Sequence, residues 1–142
     1  MNASAAYLTK DLIHAAFAAA QNAYAPYSNF HVGAMLLSAD GQLFTGCNIE
    51  NAAFSPSNCA ERTAFFQAIC QGVRDFQKIV IVCYYDTSQP QFCTPCGVCL
   101  QVMSEFCKDD FEIITAKSPE EYRSYTLKDL LPQAFLFEPK NE

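Results

Sequence analysis

The chain of 142 residues has no tryptophan, only two histidines and few charged side chains. Charged residues make up 17% of the sequence, with nine basic against fifteen acidic residues and a net charge of −6. Nucleic acids and anionic membrane surfaces are bound by basic patches, so this shortage of Lys and Arg argues against both partners. The sequence has no run of 18 or more apolar residues, and so predicts no membrane-spanning helix.

The sequence also lacks the marks of a secretory signal. Residues 1–6 contain no basic side chain, and the alanine-rich segment that follows is interrupted by Lys10, Asp11 and His14. We therefore expect a cytoplasmic protein. In that compartment the eight cysteines are expected to be thiols and not a disulfide framework, which favours metal binding for a Cys-x-x-Cys pair.

Apolar residues make up 51% of the chain, which is enough for the core of one domain covering residues 1–142. Apolar periodicity predicts helices over 9–24, with Thr9 as N-cap, and over 59–71, 96–107 and 127–131. Shorter apolar or alternating runs predict strands over 31–38, 42–47, 78–85, 111–115 and 121–125. This order predicts an α/β fold: a three-layer αβα arrangement with a mixed sheet of about five strands.

The most informative motif joins Cys59-Ala60-Glu61 to Pro95-Cys96-Gly97-Val98-Cys99. Cys96 and Cys99 are three residues apart at a predicted helix start, so their side chains share one face. A structural zinc site usually has four protein ligands, whereas a catalytic site keeps three and leaves one position for water. Cys59, Cys96 and Cys99 are therefore predicted to bind a catalytic Zn²⁺.

Two side chains beside Cys59 extend this prediction. Glu61 is placed to take a proton from a zinc-activated water and pass it on, although an isolated Glu at a helix start is usually a solvated residue. Zinc with three thiolates carries a formal charge of −1, and Arg62 is the candidate cation that would hydrogen-bond the sulfurs. The alternative for Arg62 is an ordinary surface residue.

The other cysteines and the histidines receive no primary metal role. Cys93 is close enough in sequence to Cys96 to be a second-choice ligand, but it precedes Pro95 and the predicted helix. We expect the remaining thiols to be small core or loop residues. They are Cys47, Cys70, Cys83 and Cys107, and the same expectation holds for Cys93. His14 and His31 lack any partner spacing.

Several further motifs lie at 24–30 (YAPYSNF), 32–34 (VGA), 46–52 (GCNIENA), 59–64 (CAERTA), 95–97 (PCG) and 130–135 (LLPQAF). Together they resemble the small homotetrameric cytidine deaminases of pyrimidine salvage. The resemblance implies one zinc per subunit and hydrolytic deamination of cytidine and deoxycytidine. Water adds at C4 of the cytosine ring, Glu61 carries its proton to N3 and later to the amine, and ammonia leaves.

The resemblance also implies a set of substrate contacts and shared active sites. The implied contacts are Phe30 against the pyrimidine, Asn48 and Glu50 on the ribose 3′-hydroxyl, the Ala60 N–H facing the base carbonyl, the Thr94 carbonyl meeting the amine, and Phe135 reaching into a neighbouring subunit's site. Judged from the sequence alone, Phe135 is more simply explained as a core aromatic.

Two positions depart from the family pattern. Leu100 stands where the family often has Arg, which leaves Arg62 as the evident cation for the thiolates. Phe54 stands where the family often has Tyr. Two alternatives remain open: deamination of another aminated nucleoside, and a non-catalytic zinc or thiol module with Cys93 as its fourth ligand.

Overall fold

The computed structural model describes residues 7–138, and within them a five-stranded sheet has the order β2-β1-β3-β4-β5. The strands are β1 His31–Ser38, β2 Leu43–Cys47, β3 Phe76–Tyr84, β4 Glu112–Ser118 and β5 Glu121–Thr126. The helices are α1 Thr9–Ala20, α2 Ala60–Cys70, α3 Gly97–Phe106 and α4 Leu127–Leu130. β3 and β4 are parallel and the other neighbouring pairs are antiparallel, so the predicted mixed α/β sheet is confirmed.

Two apolar clusters cover opposite faces of the sheet, because successive strand side chains point to opposite sides. On one face α1 packs against Met35 and Leu37 of β1 and against β3. On the other face α2 and α3 pack against Ala34 and Leu36 of β1 and their neighbours on β3. The three-layer arrangement expected from the sequence is therefore present.

A glycine brings α2 unusually close to the sheet. A Cβ atom at Gly46 of β2 would overlap the carbonyl oxygen of Ala60 and lie 2.7 Å from the backbone nitrogen of Ala64. Only a residue without a side chain permits this contact. The first turn of α2, directly after Cys59, is thus held against β2.

Three strand ends meet at one edge of the sheet. His31 at the start of β1 pairs with Tyr84 at the end of β3, and Gly33 pairs with Cys47 at the end of β2. The segments that follow β2 and β3 therefore leave the sheet side by side. They lead into α2 and α3, which carry the predicted zinc ligands.

The first helix is shorter than predicted, since it ends at Ala20 and not near Tyr24. The Tyr24 N–H donates to the Asn48 carbonyl, and the Glu50 N–H donates to the Tyr24 carbonyl. This pairing holds Tyr24 in an extended segment. Thr9 is the first helical residue and not the N-cap; Leu8 occupies that position without a side-chain hydrogen bond.

The prediction that all cysteines are thiols is wrong for one pair, because Cys83 and Cys93 form a disulfide with Cα atoms 6.5 Å apart. The Gln91 N–H donates to the Cys83 carbonyl, which folds the segment after β3 back over the strand end. Cys83 is fully buried.

No helix within residues 7–138 combines the length and apolar character needed to cross a bilayer. The predictions made for residues 1–6 lie outside the described residues, as do residues 139–142 of the predicted domain.

Candidate active site

A cavity of about 580 Å³ opens at the edge where the three strand ends meet. Val32 and Ile81 contribute apolar wall from β1 and β3. Most of the sequence-predicted site residues also line it: Phe30, Asn48, Glu50, Cys59, Glu61, Arg62, Thr94 and Cys96. The fold therefore gathers into one space residues that lie far apart in the chain.

The three predicted ligand thiols form a cluster. The Sγ atoms of Cys59, Cys96 and Cys99 all lie within 4.8 Å of one another, and those of Cys59 and Cys96 are 3.9 Å apart. Sulfurs bound at about 2.3 Å to a tetrahedral zinc are roughly 3.8 Å apart. The donor set and its spacing thus fit Zn²⁺, with one coordination position left over. Cys93 cannot be a fourth ligand while it is bonded to Cys83, which removes the ligand that a closed structural site required.

Helix starts position these thiols. Cys59 is the N-cap of α2 and Cys96 is the N-cap of α3, where the Cys96 sulfur accepts a hydrogen bond from the Cys99 N–H at 3.5 Å. The positive end of a helix dipole stabilises thiolate, the form that binds metal. Cys99 is buried beneath the cavity, whereas Cys96 is exposed to it.

Arg62 contacts the cluster as predicted. Its Nη2 atom donates to the Cys59 sulfur at 3.4 Å, and its buried Nε atom has no hydrogen-bond partner among the described residues. A hydrogen bond with Cys99 lowers the pKa of the Cys59 thiol, and Arg62 lowers it further. The same interaction with Cys59 raises the pKa of Cys99.

Glu61 is a buried carboxyl in the cavity wall, with only 5% of its surface exposed. Burial raises its pKa to about 7, and the neighbouring Cys59 adds to the rise. A carboxyl whose pKa lies near neutrality exchanges protons readily at physiological pH. The solvated helix-start alternative is therefore wrong.

Asn48 and Glu50 line the cavity from the segment after β2, and each also holds the turn that precedes β1. The Asn48 amide donates to the Phe30 carbonyl at 2.7 Å and accepts from the Val32 N–H at 2.9 Å. Glu50 accepts from the backbone N–H groups of Tyr27 and Ser28 and from the Ser28 hydroxyl. The Ser28 hydroxyl bond is the largest cause of the lowered pKa of Glu50.

Sequence reasoning did not identify Ser28 as a site residue. It lies in the quoted YAPYSNF motif, but nothing in the spacing indicates that its hydroxyl reaches a residue 22 positions away. The local signal is a turn: Asn29 has a φ of 58°, in the left-handed region that Asn tolerates. Such a turn lets Ser28 and Phe30 approach the same segment.

Three further predicted residues, Ala60, Phe30 and Phe135, differ in their burial and contacts. Ala60 is fully buried at the start of α2, and Phe30 packs against Tyr85 with ring centroids 4.7 Å apart. Phe135 is 69% exposed, so the interpretation of this residue as a core aromatic is wrong. Its carbonyl accepts from the Gln101 side chain on α3, which keeps the segment near the zinc-ligand helix.

The two departures from the family pattern also differ in position. Phe54 lines the cavity, is 84% exposed and has a φ of 42°. Leu100 is buried in the apolar core between the sheet and α3. The position of Leu100 explains how a hydrophobic residue is accommodated directly after Cys99.

Comparison with known proteins agrees with this arrangement. The family described as "Cytidine and deoxycytidylate deaminase zinc-binding region" matches residues 7–115. A cytidine deaminase of Sporosarcina psychrophila is 47% identical over 117 residues, which cover 82% of this chain and 83% of the relative. A cytidine deaminase of Halalkalibacterium halodurans is 44% identical over 131 residues, covering 92% and 96%.

Solved structures show the same fold. The crystal structure of cytidine deaminase from Burkholderia pseudomallei superposes with a TM-score of 0.83 at 44% identity, covering 91% of this chain and all of the other. That of Mycobacterium tuberculosis gives a TM-score of 0.74 at 35% identity, covering 89% and 96%. With its three-thiol cluster beside a buried glutamate, the chain belongs to the zinc-binding cytidine and deoxycytidylate deaminase family.

Proposed function

We propose that this protein hydrolyses the exocyclic C–N bond of cytidine and 2′-deoxycytidine, giving uridine or 2′-deoxyuridine and ammonia. The similar proteins of S. psychrophila and H. halodurans carry the name cytidine deaminase and align over most of their length. Pyrimidine salvage in the cytoplasm is the setting that suits a small enzyme with free nucleosides as substrates.

The observation that carries this proposal is Glu61 in the wall of the cavity, buried and two residues from a thiol of the cluster. Burial of a charged carboxylate is costly unless a hydrogen-bonding or oppositely charged group is close. A buried carboxyl without such a group therefore does not stabilise the fold. A proton carrier at a hydrolytic metal site uses both protonation states. Its pKa near 7 suits that task.

The thiols of Cys59, Cys96 and Cys99 hold the zinc in this proposal. When bound, Zn²⁺ supplies Lewis acidity, which makes water a nucleophile at neutral pH. Glu61 would take one proton from the attacking water and give it to ring N3. It would then take the remaining proton from the new C4 hydroxyl and give it to the amine, which leaves as ammonia while the C4 carbonyl forms. Arg62 offsets the negative charge of the thiolates through its bond to Cys59.

The cavity wall supplies the proposed contacts to the nucleoside. Phe30 flanks the pyrimidine, while Asn48 and Glu50 take the sugar 3′-hydroxyl. The Thr94 carbonyl accepts from the exocyclic amine, and the Ala60 N–H faces the base carbonyl. These groups read the amine and carbonyl edge of cytosine, since the amine must donate and the carbonyl must accept.

We further propose a homotetramer with shared active sites. Several large apolar side chains are exposed in a single chain, and contact between subunits would cover them. They include Tyr27, Phe54, Phe135, Leu136 and Phe137. Phe135 contributes to the site of a neighbouring subunit in this arrangement.

Ultraviolet turnover assays with cytidine and 2′-deoxycytidine test the proposal. Glu61→Gln keeps the size of the side chain but cannot carry a proton, and we expect kcat to fall by about 10²–10⁴-fold with zinc content unchanged. Glu105→Gln, on the exposed side of α3, is the matched control and is expected to retain full activity. Full turnover in Glu61→Gln would refute the proton-carrier role. A wild-type protein that binds one zinc and turns over neither nucleoside would refute the proposed reaction.

A further inference from the structure

The hydroxyl of Ser28, next to the cavity-lining Glu50, both donates and accepts a hydrogen bond. It donates to Oε2 of Glu50, and it accepts from the Phe30 N–H at 2.9 Å. The side chain is otherwise exposed, so packing does not account for its placement. Its surroundings indicate a role in the orientation of Glu50.

The contacts of Glu50 show what that role is. Its Oε1 atom accepts two backbone N–H groups, from Tyr27 at 3.0 Å and from Ser28 at 3.1 Å. Both donors converge on one oxygen, so they fix that atom but leave the plane of the carboxylate free to turn. The Ser28 hydroxyl is the donor on the other oxygen, and it fixes the plane.

One acceptor position on Glu50 then remains for a ligand. An ionised carboxylate offers about four lone-pair sites and donates nothing. Three of these sites are occupied by the turn, and Glu50 lines the cavity. A free site of this kind can accept a hydrogen bond from a hydroxyl, whereas a group with no proton to donate gains nothing from it.

We propose that Ser28 is a positioning residue that aims the free oxygen of Glu50 at the 3′-hydroxyl of the nucleoside sugar. This inference rests on the proposed function, in which Glu50 binds that hydroxyl. Phe30 keeps a second hydrogen bond when the Ser28 hydroxyl is lost, because the Asn48 amide donates to the Phe30 carbonyl at 2.7 Å. Loss of the Ser28 hydroxyl therefore acts on sugar recognition and leaves the ring contact in place.

Three substrates that differ only in their sugar test this proposal: cytidine, 2′-deoxycytidine and 2′,3′-dideoxycytidine. In Ser28→Ala we expect kcat/KM to fall about tenfold for the first two, the size of one hydrogen bond to a charged group. For 2′,3′-dideoxycytidine, which lacks the 3′-hydroxyl, we expect a change of less than about twofold, because the lost interaction has no counterpart on that substrate.

Three further variants complete the experiment on the zinc-loaded protein. Ser28→Thr keeps the hydroxyl and is expected to recover kcat/KM to within about threefold of wild type. Ser28→Cys keeps the size with a weak donor and should repeat the Ser28→Ala pattern. Ser124→Ala removes a comparable serine-to-carboxylate bond, that to Glu112 on the far strands, and should leave all three substrates unchanged.

The outcomes separate this inference from the proposed function. An equal loss for all three substrates would show that Ser28 only supports the fold, and no loss with cytidine would show that it does not act on Glu50. Either result overturns the inference while the reaction stands. A wild-type protein inactive on every substrate overturns the proposed function, and the inference with it.

Discussion

At the scale of single residues, the charge of the thiol cluster depends on Arg62. Its guanidinium donates to the Cys59 sulfur, and Leu100 leaves no second cation directly after Cys99. Groups that hydrogen-bond metal ligands typically contribute 10- to 100-fold in metal affinity. We expect Arg62→Gln to weaken zinc binding by that factor, measured by competition with a chromogenic chelator.

A second arginine provides the control for this prediction. Arg74 donates to the backbone carbonyls of Ile69 and Val73, away from the thiols. Arg74→Gln removes one charge of the same kind and is expected to leave zinc affinity unchanged. Equal weakening in both variants would mean that net charge, and not the bond to Cys59, controls the affinity.

The sequence allowed some residues to be predicted better than others. The clustering of Cys59, Cys96 and Cys99 was predictable because the metal-ligand spacing is local to two helix starts. The Cys83–Cys93 disulfide was not, because the two residues meet only when the segment after β3 folds back over the strand. Ser28 was missed for the same reason: its partner lies in another part of the chain.

At the scale of secondary-structure elements, Gly46 sets the distance between β2 and the start of α2. A Cβ at this position would overlap backbone atoms of α2, which cannot move aside as a flexible side chain would. We expect Gly46→Ala to lower the free energy of unfolding by about 1–3 kcal/mol or more, the usual cost of overpacking. Denaturant unfolding of the zinc-loaded protein measures the change.

Gly97 at the start of α3 is the matched control for this substitution. A Cβ at Gly97 meets no atom within 4 Å, and alanine has the higher helix propensity. Gly97→Ala should therefore leave the free energy of unfolding unchanged or raise it. A similar loss in both variants would indicate that the close approach at Gly46 is not the cause.

The elements themselves follow local patterns except where distant segments compete. β1 spans His31–Ser38, the same bounds as predicted, because its apolar run is continuous and bounded by turns. The first helix stops four residues early because Tyr24 pairs with the segment after β2. Helix propensity near that end was outweighed by hydrogen bonds to a partner that the local sequence does not reveal.

At the scale of the whole molecule, we expect each site to combine groups from two subunits. Glu61→Gln removes the proton carrier and Phe135→Ala removes the side chain proposed to reach a neighbour. Phe135 is exposed in its own chain, so its loss should not destabilise the subunit. When the two variants are co-expressed, some sites combine Glu61 from a Phe135→Ala subunit with Phe135 from a Glu61→Gln neighbour. We therefore expect the activity per Phe135→Ala subunit to be higher in the mixture than in the Phe135→Ala protein alone.

Phe137→Ala gives the control, since Phe137 is a similarly exposed aromatic two residues away. When Phe137→Ala subunits are co-expressed with Glu61→Gln subunits, we expect the activity per Phe137→Ala subunit to stay unchanged, so that total activity falls only with the fraction of Glu61→Gln subunits. If the Phe135→Ala mixture also shows only dilution, each site is complete within one chain. Light scattering of the wild type should give about four times the 15.8 kDa of one subunit.

The fold class was predictable because the order of apolar runs favours few arrangements. The position of the cavity was not, since it depends on the register that brings the start of β1 beside the ends of β2 and β3. The exposure of Phe135 was also unpredictable, as an aromatic side chain by itself favours burial. Apolar residues at a subunit interface and apolar residues in a core have similar sequence patterns, so the sequence alone does not distinguish them.

The convergence of β1, β2 and β3 at one edge has a consequence for how the protein is made. The proposed zinc ligands lie in the segments after β2 and after β3, so a growing chain that has not yet reached Cys96 contains only Cys59 of the three thiols. The complete set of three thiols exists only after β1, β2, α2 and β3 have been synthesised. Zinc then joins two halves of the chain that were synthesised at different times.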